Sequence, residues 1–134
     1  MGIEVESVCT LLEVFDMPTS ITFYRDVLGF EKVSSSAPGD DCDWCWLRLG
    51  NAELMLNTLY EKHHRPAAPD PARVKAHGDT SLFFACRNLD AAYTHLRTHG
   101  LEVGRPIIRN YGMRQLSFND PDGYNLCLQW PAEQ

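Results

Sequence analysis

The sequence predicts an α+β fold made of two tandem βαβββ modules, and three observations carry that prediction. A strand-then-helix unit near the start recurs about seventy residues later, and the two copies stop at Gly29 and Gly100, 71 positions apart. Each copy is followed by three runs in which apolar and polar residues alternate, the period of half-buried strands. The whole chain is 134 residues, an ordinary length for one domain. Each half, at roughly 60 residues, is marginal alone, so the halves should pack together or across a dimer.

Taken in order, Ser7–Val14 (SVCTLLEV) reads as the first strand. In DMPTSITFYRDVLGF, Ile21, Tyr24 and Leu28 recur at helical spacing, with Pro18 in the first turn and Gly29 at the stop. Strands are then expected over Glu31–Ser36, Asp43–Leu49 and Ala52–Thr58, the last two joined by the hairpin dipeptide Gly50-Asn51. The second copy opens with a strand at Ser81–Cys86. Asn88 is placed as an N-cap, Leu89, Ala92 and Leu96 form one helical face, and Gly100 stops the helix. Strands follow over Glu102–Arg109, Arg114–Asn119 and Tyr124–Gln129, the last two joined by the turn Asp120-Pro121-Asp122-Gly123. Leu59–Asp79, with Pro66, Pro69 and Pro71, reads as a partly extended linker. The expectation is a single domain over 1–134, with modules at about 4–58 and 80–131 and a linker at 59–79.

Alternation also assigns the strand faces. Cys45, Leu47 and Leu49, then Leu54 and Leu56, should point to a helix-covered core, leaving Trp44, Trp46 and Arg48 and then Glu53, Met55 and Asn57 on the opposite face. In the second copy Leu116, Phe118, Leu126 and Leu128 are core, with Gln115, Ser117, Cys127 and Gln129 opposite. The first strand is mixed on both faces and decides little. A face that mixes aromatic and polar groups, if concave, is the default place for a small ligand.

Composition bounds the function. The formal charge is -6 and the pI about 5.2, which argues against nucleic-acid binding and leaves room for a cationic small molecule. No apolar run approaches the length of a membrane span. Five cysteines are an odd number, and Glu4 and Glu6 stand where a basic leader would be, so free thiols in a reducing, cytoplasmic setting are expected.

Three runs, VFDMPTSITFYRDVLGFEKV, CRNLDAAYTHLRTHGLEVGRP and YGMRQLSFNDPDGYNLCLQW, together resemble the vicinal oxygen chelate superfamily, which includes glyoxalase I, bleomycin resistance proteins and extradiol dioxygenases. The resemblance covers nearly the whole chain. It implies paired βαβββ modules whose mixed sheets form a cupped site with the helices outside, often completed across a homodimer. Metal-dependent members place ligands at one position in the first strand and one in the last strand of each module, which here are Cys9, Met55, Ser81 and Cys127. The spacing from Cys9 to Ser81 and from Met55 to Cys127 is 72 residues in both cases. None of the four is His or Glu, and a thioether and a hydroxyl are poor donors for a hard or borderline divalent ion. No metal and no other cofactor is therefore expected. Glu53 lies two residues from Met55, but shifting the register to use it would break the spacing match.

Tyr111-Gly112-Met113-Arg114 ahead of Asn119-Asp120-Pro121-Asp122-Gly123 resembles the bleomycin-resistance branch. That likeness implies capture of a flat, cationic ligand without chemistry. Trp44, Trp46 and Phe83 would stack on it, Glu13 and Glu53 would supply negative charge, and Met55, Asn57 and Gln115 would line the remaining face. The tryptophans could equally fill a dimer interface. The alternative function is a metal-dependent lyase or dioxygenase with an atypical ligand set.

Remaining motifs read more plainly. His63 and His64 sit in a proline-rich stretch and His95 and His99 on a helix, so no expected strand carries a histidine. Cys42 and Cys45 form a Cys-x-x-Cys at the start of a strand rather than at a helix N-terminus, amid Asp40, Asp41 and Asp43, a setting that raises thiol pKa and favours incidental thiols over a redox pair. Arg48 and Arg114 could meet an anion, as many surface arginines could.

Overall fold

In a computed structural model of the chain, which describes residues 1–133, the protein divides into two compact units, Met1–Ala68 and a second that begins at Pro69. Each unit holds one four-stranded mixed sheet.

In the first unit β1 (Thr10–Val14) runs parallel to β4 (Ala52–Thr58), which pairs antiparallel with β3 (Trp44–Leu49), and β3 with β2 (Glu31–Ser35), giving the order β1-β4-β3-β2. The expected first strand starts later than Ser7 because its partner runs out. Thr10 pairs with Leu54, β4 itself begins at Ala52, and so residues before Val8 have no backbone to meet. Helix α1 (Met17–Ile21) continues directly into a π-helical turn over Thr22–Val27. The wider turn, closed by a Leu28 N–H bond to the Phe23 carbonyl at 3.0 Å, lets two successive aromatics, Phe23 and Tyr24, both point inward. Tyr24 packs edge-on against Phe23 and Phe30. Met17 and Ile21 join Leu47, Leu54 and Leu56 in the core between α1 and the sheet. Each fully buried leucine there contributes about 1.5–3 kcal/mol. Leu49, expected inside, is exposed because it ends β3 beside the hairpin turn.

The second unit has β5 (Ser81–Ala85) parallel to β8 (Asn125–Pro131), with β7 (Met113–Asn119) and then β6 (Ile107–Ile108) antiparallel, in the order β5-β8-β7-β6. β6 is far shorter than the run Glu102–Arg109 expected for it, since Gly104 weakens a strand and Pro106 offers no N–H to a ladder. Helix α3 (Leu89–Thr98) packs on β7 and β8. The Asn88 side chain caps it by accepting the Ala91 N–H at 3.0 Å. Its far end closes in a Schellman motif: the Leu101 N–H reaches the Leu96 carbonyl at 3.0 Å and the Gly100 N–H the Arg97 carbonyl at 3.1 Å, with Gly100 at φ +84.

The stretch 59–79, expected to be partly extended, carries a helix that alternation could not reveal. α2 (Pro71–Ala76) has Pro71 at its first position and Asp70 accepting the Ala72 N–H at 2.9 Å, and a 3₁₀ turn follows over His77–Asp79. It rests on the β7–β8 turn, where His77 stacks on Tyr124 at 4.1 Å and its Nδ1 meets the Asp122 carbonyl at 2.7 Å.

Candidate functional site

In each unit one sheet face packs on a helix, and the opposite one, termed the open face, mixes aromatic and polar side chains, with Gln115 and Cys127 buried on it in the second unit. On the open face of the first unit, strand register sets the side chains in three rows across β3, β4 and β1: Trp44, Asn57, Glu13; then Trp46, Met55, Leu11; then Arg48, Glu53, Cys9. Glu13, Trp44, Trp46, Glu53, Met55 and Asn57 therefore share one face, with the expected orientation. The Asn57 amide donates to both Glu13 oxygens at 3.1 and 3.2 Å. Arg48 lies 5.0 Å over the Trp46 ring and donates to Glu53 at 3.2 Å, so an internal cation already uses that aromatic face and that carboxylate.

The open face of the second unit follows the same pattern with different chemistry. Its rows are Gln115, Gln129, Ala85; then Ser117, Cys127, Phe83; then Asn119, Asn125, Ser81. Phe83 and Gln115 lie on this face in neighbouring rows, Phe83 58% exposed and Gln115 buried. Gln115 Oε1 accepts from Tyr111 Oη at 3.1 Å and Arg109 Nε at 3.3 Å, and its Nε2 donates to Gln129 Oε1 at 2.9 Å. Arg109, Tyr111 and Gln129 were not among the residues expected to form a site. Parity alone put Gln129 on this face, whereas Tyr111 is returned to it by the turn through Gly112, at φ +85.

The β1–β4 and β5–β8 registers superimpose at the sequence spacing: Leu11 pairs with Met55, and Phe83 with Cys127, 72 residues on in both members. A family model described as the Glyoxalase/Bleomycin resistance protein/Dioxygenase superfamily matches residues 8–128. The chain belongs to this superfamily. This superfamily member is 32% identical over 117 residues to the uncharacterized protein YaeR of Escherichia coli strain K12, a match covering 84% of this chain and 86% of YaeR. Its fold is similar to that of the bleomycin resistance determinant encoded on transposon Tn5, with TM-score 0.71 and 20% identity over 97% of this chain and 100% of that one. A glyoxalase/bleomycin resistance protein/dioxygenase from Nocardioides matches with TM-score 0.71 and 20% identity, covering 98% of this chain and 87% of that one.

The metal centre that the resemblance implies for some superfamily members does not fit the residues here. Cys9 lies one residue ahead of β1 rather than within it, opposite Glu53, and burial, with Glu53 beside it, raises its thiol pKa. A thiol binds metal as thiolate, so that shift works against it. Met55 and Ser81 offer a thioether and a hydroxyl, and Cys127 is buried. Among the described residues no three His, Cys, Asp or Glu come together as a metal-binding group, and no histidine lies on a strand. His63 and His64 fall outside the sheets, while His95 on α3 and His99, its C-cap residue, bring their rings together at 4.1 Å with a 30° tilt.

Cys42 and Cys45 are both buried, and Cys45 Sγ sits 4.0 Å from Met17 Sδ. Burial, reinforced by Cys42, pushes the Cys45 thiol up to about 12. These are packing groups of the core. Arg114 projects to the helix side, where it pairs with Asp90 at 2.6 Å.

Proposed function

We propose that the protein is a metal-independent small-molecule-binding protein of the bleomycin-resistance type, which captures a flat, cationic ligand without chemical change. The observation that carries this reading is the first unit's open face, where Trp44 and Glu13 share a row. A ring cation laid on an indole gains about 0.5–2 kcal/mol, rising with desolvation. Arg48 on Trp46 shows the same chemistry inside the protein. Glu53 and Met55 belong to the reading as the floor beside Trp46, while Phe83 and Gln115 lie on the second unit's own face. Residues 1–134 act in it as one domain.

The likeness of fold to the Tn5 bleomycin resistance determinant suggests the ligand to try first. Titration with a bleomycin-class glycopeptide should quench tryptophan fluorescence in the wild type, and Trp44→Ala or Glu13→Gln should weaken binding by tenfold or more. No fluorescence change at high micromolar ligand overturns the antibiotic form of the proposal. Elemental analysis after gentle purification should find no stoichiometric transition metal; finding one, with activity that depends on it, would establish the lyase or dioxygenase reading instead.

The proposal includes a cytoplasmic homodimer. Five free cysteines support a reducing compartment. Exposed Val8 and Leu11 beside the edge strand β1 support an interface between copies. Light scattering at tens of micromolar should give twice the chain mass, and a monomer there would refute the dimer.

A further inference from the structure

The two units repeat each other strand for strand, and at one open-face pair the repeat loses half of an interaction. In the first unit the Asn57 amide donates to the carboxylate of Glu13, directly across the β1–β4 pairing. At the corresponding place in the second unit Gln129 stands for Asn57, and Ala85 stands for Glu13 across the β5–β8 pairing. The carboxylate is gone while the amide donor remains.

The direction of that donor is fixed. Gln115 Oε1 receives hydrogen bonds from both Tyr111 and Arg109, which orients its amide so that Nε2 donates to Gln129 Oε1. With its oxygen so engaged, Gln129 turns its own Nε2 away, and no protein acceptor meets it among the described residues. Arg109 adds a guanidinium whose Nε holds Gln115 and which has no ion-pair partner among the described residues. In the neighbouring row the bulky Trp46 and Met55 of the first unit are replaced by Ser117 and Cys127, alongside exposed Phe83.

We propose that the open face of the second unit binds an aromatic carboxylate, its carboxylate taking the place that Glu13 fills in the first unit and its ring lying against Phe83. Gln129 Nε2 donates to one carboxylate oxygen and Arg109 supplies the compensating charge. This goes beyond the cation-binding reading: the ligand charge is opposite, and Gln129, Arg109 and Ala85 play no part in that reading.

The probe is naphthalene-2-carboxylate, with naphthalene-2-methylammonium as its cationic match, added to the full chain carrying ¹⁵N-glutamine. The carboxylate should shift the side-chain amide resonances of Gln129 and Gln115 saturably, and the ammonium compound should leave them in place. Arg109→Gln should weaken the carboxylate at least tenfold. Ala85→Glu should supply the missing partner internally and abolish the shift while the protein unfolds at a temperature no lower than wild type. Gln129→Leu provides a second loss variant if the glutamate variant does not fold. The proposal is overturned if the carboxylate produces no saturable shift at millimolar concentration, if the ammonium compound shifts the same resonances equally, or if Ala85→Glu, folded, binds as wild type does. Tryptophan fluorescence, compared between the wild type and Trp44→Ala, reports the cation reading separately, so either can fail alone.

Discussion

Gly123→Ala tests how α2 is held to the second unit. Gly123 sits at φ +88, and a Cβ there would lie 2.5 Å from the Val74 carbonyl oxygen and 3.0 Å from Val74 Cγ1. The left-handed conformation alone costs an alanine about 1–2 kcal/mol. The contact to a backbone oxygen cannot be relieved by a rotamer change, so α2 must move off the turn. That movement weakens the His77 hydrogen bond to the Asp122 carbonyl, worth about 1 kcal/mol, and the His77–Tyr124 stack. The expected loss is about 2–4 kcal/mol by urea unfolding followed by circular dichroism. Gly39→Ala is the control: its φ is +82, but nothing lies within 4 Å of the added Cβ, so only the conformational cost of about 1–2 kcal/mol remains. Equal losses in the two variants would refute the close approach of α2 to the β7–β8 turn.

Three further outcomes follow from local chemistry. Asn88→Ala removes the α3 cap and should cost about 1 kcal/mol in thermal unfolding, with Asn88→Asp near wild type. Asp40 accepts both Arg25 nitrogens at 2.9 Å and Lys32 at 3.1 Å, and the Arg25 hydrogen bond, aided by Lys32, holds its carboxyl below the ordinary range against the opposing effect of burial. Its contribution is thus present above about pH 4 and lost as pH falls through the folded value, so Asp40→Asn should cost roughly 0.5–1 kcal/mol near neutrality and almost nothing in strong acid, measured by unfolding at both pH values. Iodoacetamide at pH 8 should label Cys45 only on unfolding, since its thiol is raised to about 12 and fully buried, and rapid labelling of the folded protein, read by mass spectrometry, would contradict that packing.

The fold was largely legible because its signals are local and repeated. Period-two alternation placed Leu54 and Leu56 inside and Trp44, Trp46 and Asn57 outside, and these faces are as expected. What escaped has identifiable causes. The first strand begins at Thr10 because its length is set by a partner more than forty residues away, which no local pattern encodes. The π-helical turn at Thr22–Val27 arises where adjacent Phe23 and Tyr24 both need the core, a demand that a 3.6-residue template does not anticipate. Helix α2 is short, with no buried residue of its own, and leaves only its cap, Asp70-Pro71, in the sequence. The site was legible by face but not by pairing. Alternation put Glu53, Met55 and Asn57 on one surface but left the first strand undecided; the β1–β4 register adds Glu13 to that surface, and only the structure shows Arg48 neutralising Glu53 and Asn57 holding Glu13.

Core and open face obey different constraints across the repeat. Core pairs exchange one apolar group for another: Leu54 and Leu56 become Leu126 and Leu128, and Leu47 becomes Phe118, because any buried polar group would need a partner. Open-face pairs show a second rule. Arg48 and Glu53 are replaced together, by Asn119 and Asn125, which still hydrogen-bond at 3.5 Å. Replacing one member alone would have left a charge without its partner. Glu13 and Asn57 break this rule, since Ala85 replaces the acceptor while Gln129 keeps the donor. Gln129 is tied by Gln115 and so cannot rotate its amide to recover the loss internally without breaking that bond. Where the other pairs changed whole, this one changed by half, and the acceptor that completes it must come from water or from a ligand.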